Sequence, residues 1–275
     1  MLTVTCCDRG APGATTSALA LGAASGGPAI VVEADPYGGD LALRCRTKRG
    51  GVFPEAPTVL TVAVAARTEF SNDLVTRYAQ PLNDQVSVIP GHLTAEQGAS
   101  VSDWTPLARS LRASAATVVA DVGRVHAGSP SLPIAAAADV LVVVGRADMS
   151  SVVHLRERLV PLLAEVRRAP PVVLPVLVTD RRHGPRLAGS LRDFLQASAV
   201  APFVTDTGWL AWDPDAVARL ESGSGFTGLV RTALLPSSTR VVAQTRSLVH
   251  AAGGPEHTPV RASPQTGSSG WGAAT

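Results

Sequence analysis

The residues of this chain that are best placed to do chemistry lie in one short segment near its start. Gly10 and Gly13 are followed, after Ala14, by two hydroxyl residues, Thr15 and Thr16. This spacing is close to the pattern G-x-x-x-x-G-K-[ST], in which backbone N–H groups surround phosphate oxygens, a lysine reaches the outer phosphates and a hydroxyl binds Mg²⁺. Ala14 stands where that lysine would be. The segment therefore predicts a phosphate-sized loop without its usual cation.

Each of these features also has a simpler interpretation. Two glycines can be required only by the sharp turn from a strand into a helix, without any phosphate. Thr15 and Thr16 can cap the helix, because threonine side chains accept hydrogen bonds from the free N–H groups at a helix start. Phosphate contact and ordinary turn geometry therefore stand as alternatives for this loop.

Three carboxylates follow predicted strands and could act beside the loop. Glu33 and Asp35 come directly after one apolar run, and Asp121 comes directly after another. In a parallel sheet such positions share one edge, where ligands bind. Asp35 and Asp121 could hold Mg²⁺ or its water, and Glu33 could hold such a water too; alternatively all three are ordinary turn or solvated carboxylates. An acid about 20 residues beyond a glycine loop also occurs in dinucleotide-binding folds, but the third glycine of that fingerprint is missing.

The elements that must position these residues alternate between apolar strands and helices. This alternation predicts a three-layer α/β/α fold with a mostly parallel sheet. The predicted strands are Leu2–Cys6, Ala29–Val32, Val86–Pro90, Thr117–Ala120, Val140–Val144, Val172–Val178 and Ala201–Val204. The predicted helices are Thr15–Ala24, Thr58–Arg67, Leu74–Gln80, Thr94–Arg112, Ser131–Ala138, Ser150–Arg168, Arg186–Gln196, a helix from Asp213-Pro214 to near Ser222, and Ser237–Ala251.

The chain divides into one folded domain, residues 1–252, and a tail. Residues 253–275 are rich in Gly, Ser, Pro and Ala and have no periodicity, which predicts disorder. The helix Ser237–Ala251 carries arginines beside valines, so it could lie on a membrane, but packing on the domain explains it better.

Composition limits the function classes. The 275 residues are 45% hydrophobic and 17% charged, with a net charge of +2, and Lys48 is the single lysine. Without a basic stripe, this charge argues against nucleic-acid binding. The three cysteines have no metal-site spacing and are expected to be buried and reduced. Because no signal peptide or apolar run of membrane-spanning length is found, we expect the chain in the cytoplasm.

With these motifs in place, residues 1–250 resemble the MinD/ParA group of P-loop ATPases. The likeness is strongest to its degenerate TadZ/CpaE-like members, in particular an actinobacterial subset whose loop lacks lysine. In the family the loop reads K-G-G-x-G-K-T-[ST]. The corresponding residues here are Arg9, Gly10, Ala11, Pro12, Gly13, Ala14, Thr15 and Thr16.

The resemblance implies roles for the acidic residues as well. Glu33-Ala34-Asp35-Pro36 falls on the family's D-x-D-P loop, in which Asp35 would organise the attacking water. Asp121-Val122-Gly123 falls on its switch motif. The resemblance implies ATP as ligand and Mg²⁺ held at Thr15, Asp35 and Asp121, with both weakened or lost. It also implies a homodimer, a pilus or secretion ATPase or a polar positioning protein as partner, and a place in the cytoplasm or at the membrane periphery or cell pole.

The departures from the family pattern concern its catalytic parts. The loss of lysine at Ala14 predicts weak phosphate binding, and Arg9 replaces the first lysine with a bulkier, planar cation. Thr179-Asp180 stands where the family has an adenine-binding asparagine. The leading hypothesis is a localisation or assembly factor that binds ATP weakly or is not catalytic. The alternatives are a working partition-type or pole-positioning ATPase that uses Arg9, or one of Arg44, Arg46 and Arg49 supplied in trans, and a DNA-binding partition protein.

Overall fold

A computed structural model describes residues 1–7, 13–166, 172–223 and 228–253 of the chain. In this part, eight strands form one sheet in the order β3-β4-β2-β5-β1-β6-β7-β8. All neighbours are parallel except β3, which runs antiparallel to β4 at one edge. The strands are β1 Leu2–Cys7, β2 Ala29–Glu33, β3 Gln80–Pro81, β4 Val86–Ile89, β5 Thr117–Arg124, β6 Val140–Arg146, β7 Val172–Thr179 and β8 Gly208–Ala211.

Eleven α-helices in the described ranges connect and cover these strands. They are α1 Ala14–Ala23, α2 Leu41–Arg44, α3 Val59–Thr68, α4 Leu74–Tyr78, α5 Ala95–Ala99, α6 Thr105–Ala113, α7 Leu132–Ala137, α8 Met149–Glu165, α9 Gly184–Gln196, α10 Pro214–Glu221 and α11 Leu234–Ala251. None of these helices is long and apolar enough to cross a membrane.

The sheet separates two apolar cores, because successive side chains of a strand point to opposite faces. Along β6, Leu141 and Val143 pack into one core, whereas Val142 and Val144 pack into the other. Helices α3, α4 and α6 to α9 cover the first face. Helices α1, α2, α10 and α11 cover the second. The three-layer α/β/α architecture with a mostly parallel sheet is thus confirmed.

Helix starts follow local chemistry that is visible in the sequence. The Asp213 carboxylate accepts the backbone N–H of Ala216 at 3.1 Å, and Pro214 opens α10 as predicted. The predicted helix Thr58–Arg67 is observed as α3. At its start the Thr61 hydroxyl accepts the backbone N–H of Thr58 at 3.2 Å. Helix α11 buries Val241 and Val242 in the second core. The interpretation that this helix packs on the domain is therefore confirmed.

The predictions differ from the structure most clearly at three elements, and the predicted helix Leu74–Gln80 also ends early, at Tyr78, with Gln80 in β3. Residues Ala201–Phe203 form a 3₁₀ turn, and the neighbouring strand is instead Gly208–Ala211, where a glycine and a tryptophan obscured the apolar pattern. The segment Thr94–Arg112 divides into α5 and α6, because Pro106 has no N–H and is suited only to the first turn of a new helix. Strand β5 continues past Asp121 to Arg124 rather than ending before it.

Two further predictions fall partly outside the described residues. The predicted helix Ser150–Arg168 is observed as Met149–Glu165, and Arg167 and Arg168 lie beyond the described part. The predicted tail also lies outside it, apart from Gly253. The disorder of the tail, and a single domain over residues 1–252, therefore stay predictions.

Candidate functional site

The structure brings the start of α1 and the predicted acidic residues together at the carboxyl edge of the sheet. Asp121 on β5 pairs in register with Thr5 on β1 and with Glu33 on β2. Helix α1 begins seven residues after β1 ends. The predicted phosphate-loop residues Arg9, Gly10, Ala11 and Pro12 lie outside the described residues, so the site is built from Gly13 onward.

The first turn of α1 presents backbone N–H groups that have no acceptor among the described residues. Gly13 is the N-cap and has φ of 93° and ψ of 37°, a left-handed conformation that favours glycine. It has no side chain with which to cap the helix. The first intrahelical bond in this turn runs from the Ser17 N–H to the Gly13 carbonyl at 2.7 Å. A helix start of this kind attracts anions through its free N–H groups and the helix dipole.

The Thr15 hydroxyl points away from its own helix and donates to the carboxylate of Asp121. The other Asp121 oxygen accepts the Gly123 N–H at 3.0 Å. Asp121 is 1% exposed, and this burial raises its pKa to about 6. Thr15 and Asp121, predicted as two Mg²⁺ ligands from positions 106 residues apart, are thus in direct contact.

A β-bulge places Asp35 close to Asp121. Between β1 and β5 the register shifts so that Thr5 pairs with Asp121 but Cys7 pairs with Arg124. Gly123 takes up the extra residue with φ of 60°. A Cβ atom at Gly123 would lie 1.8 Å from the carboxylate of Asp35. The bulge thus lets the Asp35 carboxylate sit directly on the backbone of β5, as bulges beside functional sites commonly do.

Glu33 is a structural acid rather than a holder of metal-bound water or a solvated carboxylate. It is 2% exposed, and it accepts the N–H of Gly91 at 2.8 Å, of Asp40 at 3.1 Å and of Leu41 at 3.2 Å. Both of its oxygens are therefore occupied by backbone groups. Burial raises the pKa of Glu33 to about 7, and the charge of Asp121 contributes in the same direction. Its role is to hold the ends of β2 and β4 against α2.

Arg44 is one of the arginines that the sequence offered as a replacement for the missing lysine, without indicating its position in the fold. Its guanidinium donates to the Thr16 hydroxyl at 3.1 Å, to Asp40 at 3.2 Å and to Glu221 at 3.0 Å. It therefore reaches the first turn of α1 from within the same chain. Asp40 is only four residues away, but Thr16 and Glu221 lie 28 and 177 residues away, and no local pattern could have shown those two contacts.

An apolar cavity of about 260 Å³ extends from the start of α1 toward β8 and α10. Gly13 and Thr16 line its polar end, together with Glu221. Its remaining walls are mostly aliphatic side chains and backbone. They come from Ser17, Val178, Leu210, Ala211, Trp212, Asp213, Pro214, Val217, Ala218 and Leu234. A pocket with one polar end at a helix N-terminus suits a ligand that combines an anionic group with a flat, weakly polar one.

Thr179-Asp180, which stands where the resembled family has an adenine-binding asparagine, adjoins this cavity. The Thr179 carbonyl accepts the Trp212 N–H at 2.7 Å, so the ends of β7 and β8 are joined there. Trp212 is 61% exposed, and the Arg146 guanidinium lies 5.7 Å from its ring centre. Trp212 was not predicted from the sequence, unlike the position Thr179-Asp180. An aromatic residue directly before the helix start Asp213-Pro214 was the signal that could have indicated it.

The side chains near the start of α1 offer the kind of ligand atoms that a magnesium ion binds. A hydroxyl at Thr15 and carboxylates at Asp121 and Asp35 supply oxygen atoms, which Mg²⁺ prefers, and such an ion would bridge and neutralise phosphate oxygens. Within the described ranges no group of three or more His, Cys, Asp or Glu side chains could hold a metal on its own. Mg²⁺ takes six oxygen ligands, so water or phosphate oxygens would supply the positions beyond these three residues.

Comparisons with solved structures support the fold assignment. No protein-family model matches the sequence, and no curated protein sequence matches it significantly. A ParA family ATPase from Chlorobium tepidum TLS superposes with a TM-score of 0.67 at 15% identity, over 88% of this chain and 98% of that one. The cell division ATPase MinD of Pyrococcus furiosus gives 0.65 at 15% identity, over 90% and 98%.

A third similar structure contains a ligand. The septum site-determining protein MinD of Pyrococcus horikoshii OT3, complexed with Mg-ADP, gives a TM-score of 0.64 at 14% identity, over 91% of this chain and 98% of that one. Identities this low carry the fold and nothing more specific. This chain therefore has the P-loop NTPase fold of the ParA and MinD ATPases.

Proposed function

We propose that this chain is a MinD/ParA-like protein with a degenerate phosphate loop, which binds adenine nucleotide weakly and acts as a localisation or assembly factor. Following its resemblance to TadZ/CpaE-like proteins, we propose a pilus or secretion ATPase or a polar positioning protein as its partner. It would act in the cytoplasm or at the periphery of the membrane or cell pole.

The charge around the start of α1 is the observation that carries the proposal. Ala14 leaves the helix start without a lysine, while Asp121 and Asp35 stand nearby as carboxylates. Arg44 is shared with two further carboxylates, Asp40 and Glu221. A polyphosphate entering this site meets more negative than positive charge among the described side chains. Its binding then depends on Mg²⁺, on backbone N–H groups and on the part of the Arg44 guanidinium that the two carboxylates leave available.

The same charge balance disfavours catalysis. Losing one charge-assisted contact to a phosphate typically costs about 1.5–3 kcal/mol, or one to two decades of affinity. Millimolar nucleotide can still occupy such a site. Transfer of a phosphoryl group suffers more, because a cation at the outer phosphates stabilises the transition state.

Calorimetric titration with Mg-ATP and Mg-ADP tests the proposal, with the Ala14→Lys variant measured beside wild type. We expect wild type to bind at high micromolar to millimolar concentrations without detectable turnover, and the variant to bind about tenfold more tightly. Thermal melting of the variant controls for its fold, because Ala14 is 6% exposed. Micromolar binding with steady hydrolysis by wild type would overturn the proposal.

The in-cis position of Arg44 favours one second candidate, an active Mg²⁺-dependent ATPase that uses arginine in place of lysine. Asp35, which follows β2 and packs against the β5 bulge at Gly123, would then organise the attacking water. Hydrolysis by wild type that is abolished in Asp35→Ala would support this candidate. Equal, background-level release of phosphate by both proteins would exclude it.

A homodimer is part of the proposal, and exposed apolar side chains support it. Five large apolar residues stand at least half exposed on loops and helices that follow the carboxyl ends of β2, β4, β6 and β8. They are Tyr37, Leu43, Leu93, Met149 and Trp212. We propose that a second copy or the partner packs against this edge.

Sedimentation velocity with and without Mg-ATP tests that interface. We expect Trp212→Ser with Met149→Ser to weaken self-association. Val64→Ser is the matched control, since Val64 is equally exposed at 63% but lies on α3. A wild-type monomer at every concentration and nucleotide level would remove the homodimer from the proposal.

A further inference from the structure

Arg44 joins three elements that meet at the polar end of the cavity. From α2 its guanidinium donates to Thr16 on α1, to Asp40 at the start of α2, and to Glu221 at the end of α10. The side chain of Arg44 is 31% exposed and that of Glu221 is 19% exposed. The cluster is therefore partly shielded from solvent, and its charges are screened less than those of an open surface pair.

The position of this guanidinium relative to the cavity distinguishes it from an ordinary ion pair. Two of its partners, Thr16 and Glu221, line the cavity together with Gly13. Thr16 also belongs to the first turn of α1, where N–H groups are free. An anion bound at that helix start would lie within reach of both the Thr16 hydroxyl and the Arg44 guanidinium.

The chemistry of arginine makes an exchange of partners feasible. A guanidinium has five donors in a rigid plane that matches carboxylate and phosphate oxygens equally well. In the structure those donors bond to one hydroxyl and two carboxylates. Arg44 and these three partners together carry a net charge of −1. A phosphate can take over donors now used by Thr16 and Glu221, but the displaced carboxylate of Glu221 then opposes it.

We propose that Arg44 is the phosphate-binding cation of this site, supplied in cis in place of the lysine missing at Ala14, and that Glu221 restrains it by competing with the ligand. The inference rests on the proposed function, since it concerns the same nucleotide site. It assigns the phosphates to the α1–α2–α10 junction and explains weak binding by a competing carboxylate of the chain itself.

Binding of Mg-ADP and of adenosine to Arg44→Ala, Glu221→Gln and the double variant tests the inference. Adenosine has no phosphate, so it reports on the apolar part of the cavity alone. We expect Arg44→Ala to weaken Mg-ADP binding about tenfold or more and to leave adenosine binding within about twofold. Glu221→Gln should tighten Mg-ADP binding severalfold, and that gain should vanish in the double variant.

Arg46→Ala is the matched control for Arg44. Arg46 lies two residues away, and its guanidinium donates to the backbone carbonyls of Leu43 and Cys45 rather than toward α1. We expect it to bind both ligands as wild type does. Arg44→Lys, which keeps the charge, should retain part of the Mg-ADP affinity, and thermal melting checks that each variant is folded.

The outcomes separate this inference from the proposed function. Unchanged Mg-ADP binding by Arg44→Ala, or equal losses for Mg-ADP and adenosine, would overturn the inference and leave weak nucleotide binding intact. Absence of Mg-ADP binding by wild type and by Glu221→Gln at millimolar concentrations would overturn both. Binding that appears only in Glu221→Gln would support the inference while showing that wild type is closed to nucleotide.

Discussion

Glu33 and Asp121 occupy paired positions on the adjacent strands β2 and β5, and both carboxyl groups are almost completely buried. Burial raises the pKa of each. Their partners differ. Glu33 accepts three backbone N–H groups from two loops, whereas Asp121 accepts one backbone N–H and one side-chain hydroxyl from the first turn of α1.

This difference distinguishes an acid that bonds only to the main chain from an acid that also contacts a side chain of the candidate site. Each oxygen of Glu33 is fixed by the main chain, and Cβ atoms at Gly39 or Gly91 would lie within 3 Å of its carboxylate. No room is left there for a ligand. Asp121 contacts the Thr15 hydroxyl, and the neighbouring residues Gly13 and Thr16 line the cavity. We expect a metal ion at this site to compete for both groups. Burial and a shifted pKa alone do not tell the two apart.

The largest expected effect comes from deleting the Glu33 carboxylate. Glu33→Ala leaves three buried backbone N–H groups without acceptors, and each costs about 1–3 kcal/mol when unsatisfied. Allowing for partial rehydration, we expect the free energy of unfolding at pH 6 to fall by about 4 kcal/mol in urea titrations. Glu55→Ala, at an exposed glutamate, should change it by less than about 0.5 kcal/mol. Similar losses in both variants would contradict a structural role for Glu33.

The pH dependence of stability provides a second, somewhat smaller effect. Folding raises the pKa of Glu33 from 4.5 to about 7, so the folded chain holds a proton that the unfolded chain releases between these values. The resulting stabilisation is complete below about pH 4.5 and is lost as the pH rises through 7. Asp121, with its pKa raised to about 6, acts in the same direction.

Comparison with Glu33→Gln isolates this contribution from other titrating groups, such as His92, whose lowered pKa has the opposite effect. Between pH 5 and 8 we expect wild type to lose about 2–3 kcal/mol more unfolding free energy than the variant. Parallel pH profiles for the two proteins would show that Glu33 does not titrate in this window.

For Asp121 we expect an effect on ligand binding rather than on folding. Asp121→Asn removes a charge but keeps groups that can bond to Thr15 and Gly123, so stability should be retained. The ratio of Mg-ADP to metal-free ADP affinity should fall about tenfold, because the carboxylate no longer helps to hold the ion. Asp84→Asn, at an exposed surface pair with Lys48, is the control. An unchanged Mg²⁺ effect would place the metal elsewhere.

The smallest expected effect belongs to Asp35. It is only partly buried, and its carboxylate accepts the Tyr37 N–H at 2.9 Å. In metal-free binding of ADP we expect Asp35→Ala to remain within about twofold of wild type, with stability changed by less than about 1 kcal/mol. A loss of several kcal/mol in unfolding experiments would group Asp35 with Glu33 as a structural acid.

Local sequence was sufficient for much of the fold. Strands such as Val140–Val144 and Val172–Val178 are continuous apolar runs because they are buried on both faces, and the helix beginning at Asp213-Pro214 has its cap in adjacent residues. Each of these signals depends on neighbours a few positions apart. The strand Gly208–Ala211 was missed because its position is fixed by pairing with β7 and not by its own pattern.

The candidate site divides along the same line. The sequence by itself determined that a glycine loop leads into a helix that begins near Thr15, that position 14 lacks a lysine, and that acids follow the strands. Only the tertiary structure decided that Glu33 is held by the main chain, that Asp121 meets Thr15, and that Arg44 reaches Thr16 between two carboxylates. The physical reason is that charge and hydrogen-bonding type are properties of single residues. What a buried group does depends on partners that the fold brings from elsewhere in the chain, up to 177 residues away for Arg44.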